Sequence, residues 1–182
     1  LFEFSEHPTD HSVLPTAATC TLTGTQVRPL VEGVGALHAN CVLVTEHPVS
    51  VEVEPNDERG KSQPLQIPAV VSGRFDVPRD ADWYQSETVE AGPYYIDVYS
   101  ERIAGRADPY VVVYDEQQNV VGELDDYGHR ASAFDGHLRD PSGSVNLQAK
   151  KVYQVLVQDR YSRGGARFQY VLSIRKPEPD FH

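Results

Sequence analysis

The sequence predicts an all-β protein: an antiparallel β-sandwich preceded by a short β extension. Three observations carry that expectation. In residues 153–158, Tyr153, Val155 and Val157 fall on one face and Gln154 and Gln158 on the other, and in 168–174, Phe168, Tyr170, Leu172 and Ile174 share a face. Successive side chains of a strand point to opposite sides, so this period of two marks a sheet with one face packed and one wet. Turn residues interrupt the apolar runs at short intervals, as in sandwiches and barrels. No stretch repeats its apolar residues at the spacing of an amphipathic helix.

The chain has 182 residues, 40% of them hydrophobic, enough for one sizeable domain with a smaller piece beside it. Its formal net charge of −11 opposes nucleic acid, whose phosphates need clustered Lys and Arg. The same sign disfavours anionic lipid. No apolar run approaches the roughly 20 residues of a membrane span, so no membrane insertion is expected. The start at Leu1 and the absence of methionine predict a processed or excised piece of something longer.

Taken in order, residues 1–18 hold Pro8, Pro15 and the pair His7 and His11. Pro8 between the histidines argues against a helical metal pair, and a loosely docked segment is expected. Residues 19–45 read as three short strands with turns at Gly24 and at Gly33-Val34-Gly35. Three such strands do not make a stable two-layer domain. Residues 1–48 are therefore expected to complete a neighbour's sheet or to be the tail of an immunoglobulin-like module. Cys20 and Cys41 each sit in a strand-like context, with no Cys-x-x-Cys spacing. A disulfide between them is expected, worth about 3 kcal/mol for a loop of about 20 residues and pointing to an oxidising compartment.

The main domain is placed at 49–175, after the joint Glu46-His47-Pro48. A loop is expected at 58–68, then strands at 69–75, 83–89, 94–99, 110–114 and 120–124, followed by the two alternating strands, with Arg163-Gly164-Gly165 as a hairpin-like tip between them. Residues 176–182 carry two prolines, which donate no backbone hydrogen bond, and read as an exit linker.

The chemistry concentrates in Glu52-Val53-Glu54-Pro55-Asn56-Asp57 and in Asp80-Ala81-Asp82-Trp83-Tyr84. In a strand Glu52 and Glu54 project to one side, about 7 Å apart, and Pro55-Asn56-Asp57 then turns the chain. The second run adds Asp80 and Asp82 where a new strand begins. Like charges held this close repel unless a cation sits among them. Calcium, which takes six to eight oxygens in loose geometry, suits a cage from two separated segments better than magnesium does. A solvated acidic turn is the plain alternative. A glycosidase-type carboxylate pair is the weaker one, since no apolar pocket is evident to raise one pKa. No nucleophile-elbow pattern is present, and no enzyme activity is expected. Asp125-Asp126-Tyr127-Gly128-His129 reads as a charged hairpin turn in preference to a second oxygen site, with His129 and His137 as loop residues.

Residues 49–175 resemble the bacterial pre-peptidase C-terminal domain, a family related to the collagen-binding domains of clostridial collagenases. The resemblance rests on an ordered set: Glu52-x-Glu54-Pro55-Asn56-Asp57, Val71-Ser72-Gly73, Asp80-x-Asp82-x-Tyr84, Asp108-Pro109, Asp125-Asp126 and Tyr170-x-Leu172-x-Ile174. It implies a jelly-roll-like sandwich, secretion and a non-catalytic role. It further implies calcium held by Glu52, Glu54, Asn56, Asp57 and Asp82, with Asp80 and Tyr84 as further candidates, fixing the lead-in segment at 46–48 to the sandwich. Two departures stand out. Ser86 occupies a place where the family commonly has a core aromatic. Gln154, Gln158, Gln169 and Ser173 stand where collagen-binding members present tyrosines, which argues against collagen.

The expected function is thus a calcium-stabilised accessory module for adhesion or positioning, secreted, cell-surface or periplasmic. Its partners would be the other domains of the parent extracellular protein. One alternative is a module for a polysaccharide or fibrous protein, using Tyr95, Tyr99, Tyr127 and Tyr161. The other is an accessory fragment of a secreted peptidase.

Overall fold

Apolar residues at every second position need a second layer to cover them, and the second half of the chain supplies it by sending successive strands to opposite sheets. The computed structural model describes residues 2–4, 12–14, 25–27, 30–31, 34–35, 40–43, 45–126 and 139–177. The chain divides into two units, Leu1–Thr45 and Glu46–His182.

The first unit contains β1 (Phe2–Phe4), β2 (Ser12–Leu14), β3 (Thr25–Val27), β4 (Leu30–Val31), β5 (Val34–Gly35) and β6 (Asn40–Val42). They pair antiparallel as three two-stranded ribbons, β1 with β2, β3 with β6 and β4 with β5. The expected turn at 33–35 is in part strand β5. Cys20, and with it the expected bridge to Cys41, lies outside the described residues, as do His7 and His11.

The second unit contains β7 (Val49–Val51), β8 (Gln63–Pro64), β9 (Ala69–Arg74), β10 (Ala81–Glu87), β11 (Gly92–Tyr99), β12 (Pro109–Tyr114), β13 (Val120–Leu124), β14 (Ser142–Leu147), β15 (Val152–Asp159) and β16 (Gln169–Arg175), with 3-10 turns at Arg59–Lys61 and Glu101–Ile103. Two five-stranded sheets result, ordered β13-β12-β15-β10-β8 and β14-β11-β16-β9-β7. Their inner faces interlock around Val71, Phe75, Tyr84, Val98, Tyr170 and Leu172, each completely buried. The result is a β-sandwich. No helix among the described residues is long and apolar enough to cross a membrane.

Several details depart from the sequence reading. The sheets are mixed, because β7 runs parallel to β9 and β8 parallel to β10. The chain leaves β7, crosses to the other sheet for β8 and returns for β9, so it comes back in the direction it left. The loop expected at 58–68 contains a 3-10 turn and β8. Strand β14 was not expected: Val145 and Leu147 are its only buried side chains, too few to reveal a period. The 163–165 stretch is no hairpin tip, since β15 pairs with β10 and β12 while β16 pairs with β9 and β11. It is a crossover between sheets, seated so closely on the β9–β10 loop that a Cβ on Gly164 would lie 2.1 Å from the Val77 carbonyl oxygen.

The expected wet face of β15 is covered. Arg59 lies over the rings of Trp83 (4.7 Å) and Tyr114 (4.3 Å), Leu156 is buried, and Gln154 donates to the Arg59 carbonyl and to Ser62 Oγ, both at 3.1 Å. Ser173 on β16 is buried as well. Ser86 is buried opposite Tyr153, which brings an aromatic ring to the same face. At the open edge of β7, Gln63 acts as a substitute strand. Its Nε2 donates to Val51 O (3.1 Å) and its Oε1 accepts from Val53 N (2.8 Å). Those backbone groups are thereby closed to another chain.

Candidate metal centre

The first acidic run follows β7 without losing its hold on the sheet. Glu52 N donates to Ser72 O (2.9 Å), so the side chain of Glu52 is carried to the end of the sandwich. The Glu54–Pro55 peptide is cis, and the turn that follows buries Asn56 entirely. Trp83 N donates to Asn56 O (3.1 Å), which ties the turn to β10 and sets it against Asp82.

The carboxylate of Glu52 is the hub. Its Oε2 accepts from Arg74 N (2.9 Å), and its Oε1 contacts Tyr84 Oη (2.9 Å), Tyr170 Oη (3.1 Å) and Asn56 Nδ2 (3.2 Å). Glu54 Oε2 accepts from Asn56 N (2.9 Å). Tyr170 Oη lies 2.5 Å from Asp82 Oδ2 and 2.7 Å from Tyr84 Oη. Each phenol carries one proton and Asp82 holds a third, so three protons serve four contacts, two to Glu52, one to Asp82 and one between the tyrosines. Oxygen outnumbers hydrogen here.

Ligand atoms of Glu52, Glu54 and Asp82 lie within 4.8 Å of one another. Among the described residues no Lys or Arg forms an ion pair with Glu52, Glu54, Asp57, Asp80 or Asp82. Two buried oxygens, Asn56 Oδ1 and Asp82 Oδ1, have no hydrogen-bond partner. A buried acceptor left unmatched costs about 1–3 kcal/mol, more when charged.

The electrostatics follow from this crowding. Burial, and then the charge of Glu52, push the Asp82 carboxyl up to about 10. Burial and the neighbouring Asp57 carboxyl raise Asp80 to about 6. Burial also raises Glu54, against the lowering effect of the Asn56 amide. The same burial holds Tyr84 and Tyr170 well above the usual phenol range, so both stay neutral.

These shifts give a pH dependence. Metal-free, the folded protein keeps protons on Asp82 and Asp80 that the unfolded chain, with ordinary carboxylates near 4, releases. The contribution to stability is therefore present below about pH 4 and lost as pH rises, through about 6 for Asp80 and about 10 for Asp82. Thermal melts in EDTA from pH 5 to 8 are expected to show a falling Tm. A Tm that rises over that range would mean these carboxyls are already ionised and compensated.

Of the residues singled out in the sequence, the structure brings Glu52, Glu54, Asn56, Asp82 and Tyr84 together. Asp80 and Asp57 sit side by side at the margin, where Asp80 accepts from the amides of Asp76, Val77 (3.4 Å) and Ala81 (3.2 Å) and braces the β9–β10 turn. Sequence reasoning placed Tyr170 in the core and missed its hydroxyl at the centre of the cluster. The signal was there, since a buried tyrosine in an apolar strand needs a partner for its OH. Of the tyrosines considered for polymer binding, Tyr99 and Tyr95 each lie beneath an arginine, Arg102 at 3.8 Å and Arg175 at 5.4 Å. Tyr161 is exposed, and Tyr127 lies outside the described residues, as do His129 and His137.

No family model and no curated protein matches the chain. Among solved structures it aligns with the pre-peptidase C-terminal domain of a collagenase from Bacillus anthracis, at 16% identity over 72% of this chain and all of that one, TM-score 0.45. The chain is similar to a pre-peptidase C-terminal domain. It also aligns with CorA, a surface-associated copper-binding protein of Methylomicrobium album BG8, at 9% identity over 71% of this chain and all of that one, TM-score 0.44. A third is PliG, a periplasmic inhibitor of g-type lysozyme from Aeromonas hydrophila, at 16% identity over 70% of this chain and all of that one, TM-score 0.39. The chemistry open to the acidic cluster is read from its own geometry and not from these likenesses. An all-oxygen donor set without sulfur or imidazole suits a hard cation, calcium before magnesium when the oxygens come from two separated segments.

Proposed function

We propose that the Glu46–His182 unit is a non-catalytic β-sandwich module, stabilised by calcium, that serves adhesion or positioning within a larger secreted or cell-surface protein. The observation that carries this reading is the pair of buried, unpartnered oxygens, Asn56 Oδ1 and Asp82 Oδ1, in a cluster of carboxylates that no Lys or Arg among the described residues pairs with. Glu52, Glu54, Asn56 and Asp82 would hold the ion, with Asp57, Asp80 and Tyr84 at its margin. Bound calcium would supply positive charge where the described residues supply none. The residues themselves do the rest. Glu52 joins β7 to β9 and to the tyrosines of β10 and β16, and Asn56 fastens the turn to β10. The segment leading into the sandwich is thereby fixed to both sheets, which is useful where force or a neighbouring domain pulls on it. Asn56 and Asp82 are buried out of reach of a substrate, and this favours a structural over a catalytic role.

Calorimetric titration of the metal-stripped protein tests the proposal. A saturable calcium isotherm is expected, its tightest phase lost in Glu54→Gln. A flat isotherm in the unsubstituted protein would return the motif to a solvated acidic turn.

A further inference from the structure

A second acidic corner forms where three neighbouring strands of one sheet end together. Antiparallel pairing of Val111 with Leu124 carries Asp125 and Asp126 back alongside the start of β12, next to Asp108. Pairing of Pro109 with Asp159 brings the end of β15 to the same place. Two of these four carboxylates are compensated. Asp159 takes Arg163 through Nε (3.0 Å) and Nη2 (2.9 Å), together with the amides of Asp108, Tyr161 and Arg163. Asp125 Oδ2 pairs with Arg160 Nη1 at 2.5 Å.

Asp108 and Asp126 form no ion pair among the described residues. Asp108 is only 5% exposed. Its Oδ1 is buried without a hydrogen-bond partner, and so is Asp125 Oδ1. Asp126 is the charge that acts most strongly on Asp108, with Arg139, Asp159 and Arg163 acting less. The corner therefore holds two uncompensated carboxylates and two buried oxygens with nothing to bind. Native structures seldom leave such groups empty-handed.

We infer that Asp108, Asp125 and Asp126 hold a second divalent cation, of the hard, oxygen-seeking class to which calcium belongs. Arg160 and Arg163 pair with Asp125 and Asp159, Arg139 acts on Asp108 without an ion pair among the described residues, and the negative charge left over suits a cation. Among the described residues only Glu52, Glu54 and Asp82 bring three carboxylate atoms within 4.8 Å. Asp108, Asp125 and Asp126 do not bring three carboxylate atoms that close, so an ion there would be held partly through water and more weakly than at the first site. It would fasten the β12–β13 edge, which is far in sequence from the Glu52 turn, to the end of β15.

The test is a calcium titration of the full chain, metal-stripped, by calorimetry. The unsubstituted protein is expected to bind two ions with separable affinities. Asp126→Asn, at an exposed position where folding is not at risk, should weaken the second phase about tenfold or more and spare the first. Asp108→Asn should remove the same phase, and Glu54→Gln should do the reverse, so the two sites fail independently. A second phase that survives both Asp126→Asn and Asp108→Asn overturns the inference. So does a single calcium per chain that disappears with Glu54→Gln.

Discussion

Stripping calcium with EDTA is expected to lower the melting temperature by about 8 °C, with full recovery in millimolar calcium. The size follows from linkage. An ion that binds only the folded state with a Kd of about 10 μM, within the range of oxygen-ligated calcium sites, adds about 2.7 kcal/mol at one hundred times that concentration. For a domain of this length each kcal/mol moves Tm by about 3 °C. In the metal-free state the crowding of Glu52, Glu54 and Asp82 within 4.8 Å is met by a proton on Asp82, and the ion would take that proton's place. Glu54→Gln should start from a Tm near that of the stripped protein and respond weakly to calcium. Magnesium, which sheds its waters reluctantly, should restore little. A thermal scan in which EDTA changes nothing would remove calcium from the account of this fold.

Gly73→Ala should cost about 3 kcal/mol and weaken calcium binding at the same time. A Cβ at position 73 would stand 2.5 Å from Tyr170 Cζ and 2.6 Å from its hydroxyl oxygen, far inside van der Waals contact. The ring has nowhere to go. It is completely buried and stacked on Phe75 at 4.7 Å between centroids, and its hydroxyl is set between Asp82 and Glu52. Overpacking a tight core costs about 1–3 kcal/mol, and the ring's displacement takes the hydroxyl from both carboxylates. Denaturant melts with and without calcium measure the two effects separately. A substitution that destabilises by less than about 0.5 kcal/mol, or that leaves calcium affinity intact, would show that Tyr170 has room to move and does not support the site.

The sequence made the sandwich legible where alternation was long. β15 and β16 run seven or eight residues with apolar side chains at every second place, and the buried faces are the ones expected, Tyr153, Val155 and Val157 on one and Tyr170, Leu172 and Ile174 on the other. It was illegible where strands were short or their burial came from elsewhere. β8 is two residues and β14 buries two side chains; neither has a period to read. Leu156 lies opposite Trp83, on which Arg59 of a distant loop rests, and a one-dimensional pattern cannot announce a loop laid over that face. The acidic cluster followed the same division. Glu52, Glu54, Asn56 and Asp82 stood out because like charges were close in the chain. Tyr170 and Asp108 did not, because what marks them is the partner they meet, or lack, across the fold.

Hydrogen bonding between Glu52 and Tyr170 spans 118 residues, nearly the whole of the sandwich, and consecutive strands for the most part lie in opposite sheets. Such a topology is assembled from distant pairings and folds slowly for its size. The cage around Glu52 is complete only once the lead-in turn and the closing strand have met, so it is expected among the late contacts. Interactions absent from the transition state act on the rate of unfolding. An ion bound there does little to hasten the native state into being; it prolongs it, as a latch does for a door already shut.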